Sequence, residues 1–352
     1  MNAGQDKYLI LHIPPGVAGI DHILAVVKNA IKEAIHLKRV LVIDKYPMAR
    51  HHNLGHKLEN LDIERYINLS KTQIYKIENN GSIEQIHNVF RYIRMENFDH
   101  NKYPEETILQ LPDTPISEAQ NNQHKVIVRT TANDSYNRQV HSNMLIVAFY
   151  PSDKVARLTD IVLRAMGTSL SDTEKLSAVY TNIDFATNKE TWQDTVLDNP
   201  LHYACLHVRG NDTSGLSCFK QAASESHIRS IVKQKIPRGM RIYLMTDIKK
   251  PGYLSFLKKD YTVYRYYDFP ELKDLVSGNK SPVDNAMLYS VEKNIMQHAY
   301  VKLVRADGTF RVICTGCIHK IRWRYKILSM IDLLSSRAVK RCKARINRLI
   351  GQ

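Results

Sequence analysis

The sequence predicts an α/β protein with two Rossmann-like layers facing each other across a cleft, closed by a basic helical tail. Three observations carry this. Short apolar runs alternate with helical patterns of three-four spacing, first within the opening forty residues and again after about residue 200. The 352 residues, 43% hydrophobic, exceed one ordinary domain. The positive charge is concentrated at the carboxyl end.

YLILHI, residues 8–13, reads as a buried strand, followed by the turn of Pro14, Pro15, Gly16 and Gly19 and a helix capped by Asp21. Ile20, Ile23, Leu24, Val27, Ala30, Ile31, Ala34 and Ile35 line one face of that helix, and Val40–Ile43 forms the next strand, completing a βαβ unit. Residues 53–123 are polar and weakly periodic, with prolines at 104, 112 and 115, and read as loops and short helices. Strands over 125–130 and 144–150 and a helix over 153–166 follow. The second rhythm places strands at 203–208, 241–245, 262–267 and 301–304, with helices over 224–235, 252–258 and 284–299. The expected division is 1–198, 199–317 and a tail, 318–352.

Cysteine and charge restrict the partners. Five cysteines, an odd and sparse set, suit a reducing compartment, and Cys314 and Cys317 lack the second ligand pair a zinc site needs. The opening MNAGQDKYLILHIPPG has no cationic start or cleavage site, and no apolar run reaches membrane-spanning length, so a cytoplasmic location is expected. Of the formal +15, the tail carries +9, ten Lys and Arg against Asp332. Its apolar residues recur at roughly helical spacing, which predicts basic amphipathic helices suited to an anionic membrane surface or to packing on the first domain. Nucleic acid is disfavoured, because Trp323 and Tyr325 make a poor stacking platform.

The sharpest local signal is HVRGND, His207–Asp212, at the end of a buried strand and entering a Gly/Ser-rich turn. A guanidinium lifted to the carboxyl end of a parallel strand points into the crevice where such sheets bind ligands, and can hold a diphosphate with two hydrogen bonds. An arginine bridging to a neighbouring loop is the plainer alternative. Thr246 and Asp247 end another strand, Asp284 and Asn285 open a helix that also carries Tyr289 and Glu292, and Thr309 and Phe310 follow a glycine turn. Each pair is a candidate ligand contact or an ordinary cap or turn. Glu292, seven residues beyond Asn285, points the same way.

HVRGND resembles the H-x-R-x-x-D signature of the fucosyltransferase superfamily, which includes protein O-fucosyltransferases, α1,6-fucosyltransferases and nodulation fucosyltransferases. IYLMTD (242–247) and DNAMLYSVEKNIMQHAYVKLVRADGTF (284–310) are similar to the second and third blocks of that family, and GIDHILAVVKNAIKEAIHLKRVLVI to the opening of the O-fucosyltransferases. The resemblance implies the two-lobed GT-B architecture, a GDP-sugar donor and a glycan, lipid-linked or protein acceptor. It implies that Arg209 holds the diphosphate, that His207 lines the same pocket, and that Asp212 braces the loop or meets the nucleotide. Ala18 stands where the O-fucosyltransferase pattern has asparagine, and Gly210 where several relatives have a second arginine. Asp21 and His22 are the candidates for the proton acceptor, with a helix cap as the alternative for Asp21. No D-x-D triplet, G-x-x-x-x-G-K-[ST] loop or G-x-G-x-x-G turn occurs, so transfer without a metal or cofactor is expected. The rival expectations are a nucleotide-sugar-binding protein without turnover and a basic-tailed membrane or nucleic-acid adaptor.

Overall fold

The computed structural model describes residues 6–14, 19–47, 60–77, 83–131, 145–168, 182–184, 189–191, 201–208, 224–246, 252–277, 283–306 and 309–314. Arg209, Asp212, Asp247, the division points 198 and 317 and the whole tail lie outside them.

The first parallel sheet joins β1 (Tyr8–His12), β2 (Val40–Ile43), β5 (Tyr92–Arg94), β6 (Ile108–Leu111) and β7 (Val126–Thr130) in the order β5-β2-β1-β7-β6. β1 is central and buried on both faces, which is why it reads as an unbroken apolar run. Leu9 and Leu11 face one core, and Ile10 faces another, smaller one built with Val42, Phe98 and Val126.

Helix α1 (Ile20–Leu37) leaves the carboxyl end of β1 and is buried on nearly every side from Val26 to Ala34. The reason is a second, antiparallel sheet of order β4-β3-β8, formed by β3 (Ile67–Ile77), β4 (Ile83–Ile86) and β8 (Leu145–Pro151). α1 touches both β1 and β8 and is thus enclosed between two sheets. The expectation of loops and short helices over 53–123 therefore fails for β3, an eleven-residue strand, and for β4, β5 and β6. The strand expected at 144–150 exists but pairs antiparallel with β3 instead of extending the parallel layer.

The other large sheet joins β11 (Leu201–Val208), β12 (Arg241–Thr246), β13 (Thr262–Tyr264), β14 (Ala299–Ala306) and β15 (Thr309–Cys314), ordered β13-β12-β11-β14-β15. Its first four strands are parallel, and β15 runs antiparallel to β14. A small hairpin of β9 (Asn182–Asp184) and β10 (Lys189–Thr191) stands between the two regions in sequence. The helices are α2 (Glu118–Gln123), α3 (Asp153–Ala165), α4 (Glu225–Lys235), α5 (Pro270–Ser277) and α6 (Asn285–His298). Ser152 caps α3 and Ser224 caps α4, each accepting a backbone N–H three residues on.

Two expected elements differ. The helix expected at 252–258 is a 3-10 turn, Ser255–Lys259, entered through Leu254 in the left-handed region. β13 stops at Tyr264, and the chain turns at 266–268 before α5.

The two faces of β11 and β12 serve separate cores. Ala204, Leu206, Val208, Ile242 and Leu244 pack under α4. Tyr203, Cys205, Tyr243 and Met245 face α6 and join one continuous core with α1, β8 and α3. Asn294 of α6 donates to the buried Thr159 hydroxyl of α3 at 3.0 Å, tying the regions together. Burial pushes the Cys205 thiol up, as befits a packed thiol and not a reactive one.

Candidate functional site

β11 sits between β12 and β14, the point where strand order reverses, and parallel sheets of this kind bind ligands outside the carboxyl ends of their strands there. His207 and Val208 are the last two residues of β11, and Thr246 is the last of β12, in register with Val208. α6 enters from the same edge, because it runs back toward the start of β14. Opposite stands the first turn of α1, carrying Asp21 and His22.

Asp21 joins the two sides. Its Oδ2 accepts the Tyr289 hydroxyl at 2.5 Å and its Oδ1 accepts the Lys293 ammonium at 2.5 Å. Burial pushes this carboxyl up, but the charge and hydrogen bond of Lys293, the hydroxyl of Tyr289 and the charge of His207 outweigh it and hold the group below the ordinary aspartate range. His207 is thus within electrostatic reach of Asp21, so the structure brings these two candidates together. A carboxylate held ionised, with both oxygens engaged, has little basicity to offer a hydroxyl acceptor.

Asp21 is not the cap of α1. That position belongs to Gly19, whose extended backbone leads in without a side-chain bond, while Asp21 lies in the first turn and reaches across to α6. Its negative charge near the helix N-terminus is favourable in either case. His22, half-buried, shares this turn.

Asp284 is a cap. Its Oδ1 accepts the Met287 backbone N–H at 2.9 Å and the Tyr66 hydroxyl at 3.2 Å, and its Oδ2 accepts Arg65 at 2.8 Å. These protein partners surround a carboxylate that is 4% exposed, so the plainer of its two sequence readings describes it. Asn285 follows as the first helical residue. Asp284→Ala is expected to cost about 2 kcal/mol, from the lost cap and the two donors left behind, with Asp284→Asn recovering the cap portion. Urea denaturation of the two variants measures this.

Glu292 does not face the opening. It shares a helical face with Asn285, but that face meets the sheet: the Tyr243 hydroxyl of β12 donates to Glu292 Oε1 at 3.1 Å in the interior. Burial pushes its carboxyl up to about 8, against which the Tyr243 hydroxyl acts. Lys293 and Tyr289 were missed as site residues in the sequence. They lie four apart on one helix and share a face, but nothing local ties them to an aspartate 268 and 272 residues earlier.

No protein-family model matches the chain, and no curated protein does. Among solved structures it is similar to the crystal structure of POFUT1 in complex with GDP, over 84% of this chain and 96% of that one, at a TM-score of 0.37 and 10% identity. A superposition that loose leaves fold and function to be read from the chain itself.

Proposed function

We propose that the chain is a glycosyltransferase of GT-B type that moves fucose or a related sugar from a GDP-linked donor to a hydroxyl of a glycan or other acceptor, with inversion and without a metal. The observation supporting it is the position of HVRGND, whose first two residues close the central strand β11 at the switch point, across from the first turn of α1. In this reading residues 199–317 hold the donor through His207, Arg209, Asp212, Thr246 and Asp247, with Thr309 and Phe310 beside it, and residues 1–198 present the acceptor. Arg209 neutralises the diphosphate as the sugar bond breaks. His22 is the better of the two proton acceptors, since Asp21 is committed to Lys293 and Tyr289. The basic tail seats the protein on the cytoplasmic face of a membrane.

Arg209→Ala is expected to lower GDP release in the presence of a glycan acceptor by at least about a hundredfold and to weaken GDP binding, with the melting temperature unchanged. Unaltered affinity and turnover in that variant refute the donor site. The low basicity of Asp21 also favours a second reading, a nucleotide-sugar-binding protein without turnover. GDP binding with no acceptor-dependent release selects it.

A further inference from the structure

The outer flank of α4 carries a charge that the cleft chemistry does not use. Ile228 and Val232 turn inward to the core, leaving Arg229 and Lys233 exposed on the other side and Lys235 exposed at the helix end. The 3-10 turn Ser255–Lys259 packs alongside: the Arg229 guanidinium lies 4.2 Å from the centre of the Phe256 ring, and the Tyr261 hydroxyl donates to the Ile236 carbonyl at 3.1 Å. The turn carries Lys258 and Lys259, both exposed, directly before Asp260, the residue that meets Arg238 after α4. The Gly239 N–H donates to the Asp260 carbonyl at 3.0 Å and closes the junction. Six exposed cations therefore lie on α4, the segment after it and the adjoining turn. Among the described residues Arg238 alone of the six has an ion pair, with Asp260 at 2.7 Å. The single acid of α4, Glu225, sits in its first turn, where its carboxylate accepts the Leu254 N–H.

We infer that this flank of α4 and the adjoining turn form a seat for an anionic lipid surface, separate from the basic tail. Four of the six cations are lysines, flexible point charges that settle into a layer of phosphate headgroups without needing fixed geometry. Single-stranded nucleic acid is the poorer match, because the patch offers one aromatic ring, Phe256, and Arg229 already covers it. The seat also leaves the cleft open. α4 runs antiparallel to β11 and β12, so its carboxyl end, with Lys233, Lys235 and Arg238, lies at the amino edge of the sheet, and the candidate site lies at the opposite edge.

The test uses the full chain, with the tail Ile318–Gln352 present throughout, so that any difference reports the patch. Wild type and a variant carrying Lys233→Glu, Lys235→Glu, Lys258→Glu and Lys259→Glu are compared for binding to vesicles of equimolar phosphatidylcholine and phosphatidylglycerol. The expected result is a loss of about a hundredfold or more in partitioning, weaker binding of the wild type as salt rises, and an unchanged melting temperature. Equal binding by the two proteins overturns the proposal. So does a wild type that prefers a short RNA over the vesicles and loses that preference on the same four reversals.

Discussion

Replacing Arg129 with methionine is expected to destabilise the protein by about 3–5 kcal/mol, the cost of leaving one member of a buried ion pair without the other. Arg129 lies in β7 and Glu33 in α1, and neither side chain is exposed at all. The guanidinium donates to Glu33 through Nε at 3.3 Å and Nη2 at 2.5 Å, while Nη1 reaches the carbonyls of Pro112 and Thr114, the latter at 2.8 Å. It thus pins a helix, a strand and the segment before α2 with one planar group. In Arg129→Met the Glu33 carboxylate stays in the interior without its hydrogen-bonded cation, and two carbonyls lose a donor. Lysine cannot reproduce the fork, so Arg129→Lys is expected to fall nearer the methionine variant than the wild type. Paired replacement, Glu33→Leu with Arg129→Met, removes both charges and is expected to recover at least half of the loss. Urea denaturation of the four proteins decides it: an Arg129→Met midpoint equal to that of the wild type would mean that the pair contributes nothing.

The same pair shows what the sequence conceals. The apolar face of α1 is plain in Ile23, Val27, Ala30 and Ile31, and the helix forms as that spacing predicts. Its opposite side, with Lys28, Asn29, Lys32 and Glu33, reads as a solvated face, yet each of these is buried because a second sheet covers it. That sheet was itself hidden. Along β3 the buried residues are Ile67, Leu69 and Ile74, and pairing with β8 shifts register between Asn68 and Gln73, so the two-residue alternation breaks after Leu69. Strands such as β2 and β11, buried on both faces, keep continuous apolar runs and were legible almost residue for residue.

Arg39 repeats the lesson. Its guanidinium bonds the Tyr8, Lys125, Asn121 and His124 carbonyls and the Asn121 side chain, at 2.7–3.0 Å, although it sits in an ordinary-looking link between α1 and β2. At the site the asymmetry is similar. A buried strand ending in His-x-Arg advertises itself, whereas the contact of Asp21 with Tyr289 and Lys293 is made by tertiary packing alone.

The stability of the protein is expected to fall as pH rises from about 5 to about 8, and Glu292 is the cause. In the unfolded chain its carboxyl ionises near 4.5, while burial in the folded protein pushes it up to about 8. Between those values the folded state binds a proton that the unfolded state has released, so the contribution is complete below about pH 4.5 and is lost as pH climbs through the folded value. Each unit of separation is worth about 1.4 kcal/mol, which makes the total several kcal/mol. Asp21 works in the other direction and in another window. Its lowered carboxyl stabilises above the ordinary aspartate value near 3.8 and loses that contribution only as pH falls below it. Glu292→Gln keeps an acceptor for the Tyr243 hydroxyl and removes the titration, so its unfolding midpoint is expected to lack the part of the slope between pH 5 and 8 that Glu292 supplies. Tyr243→Phe removes the bond that favours the ionised form and moves the window to higher pH. Lys293 follows Glu292 directly and Tyr289 lies one turn before it, so a charge forced beneath α6 loosens the residues that hold Asp21. Urea midpoints measured at pH 5, 7 and 9 for the three proteins test the whole chain of reasoning, and parallel slopes for wild type and Glu292→Gln would remove Glu292 from it.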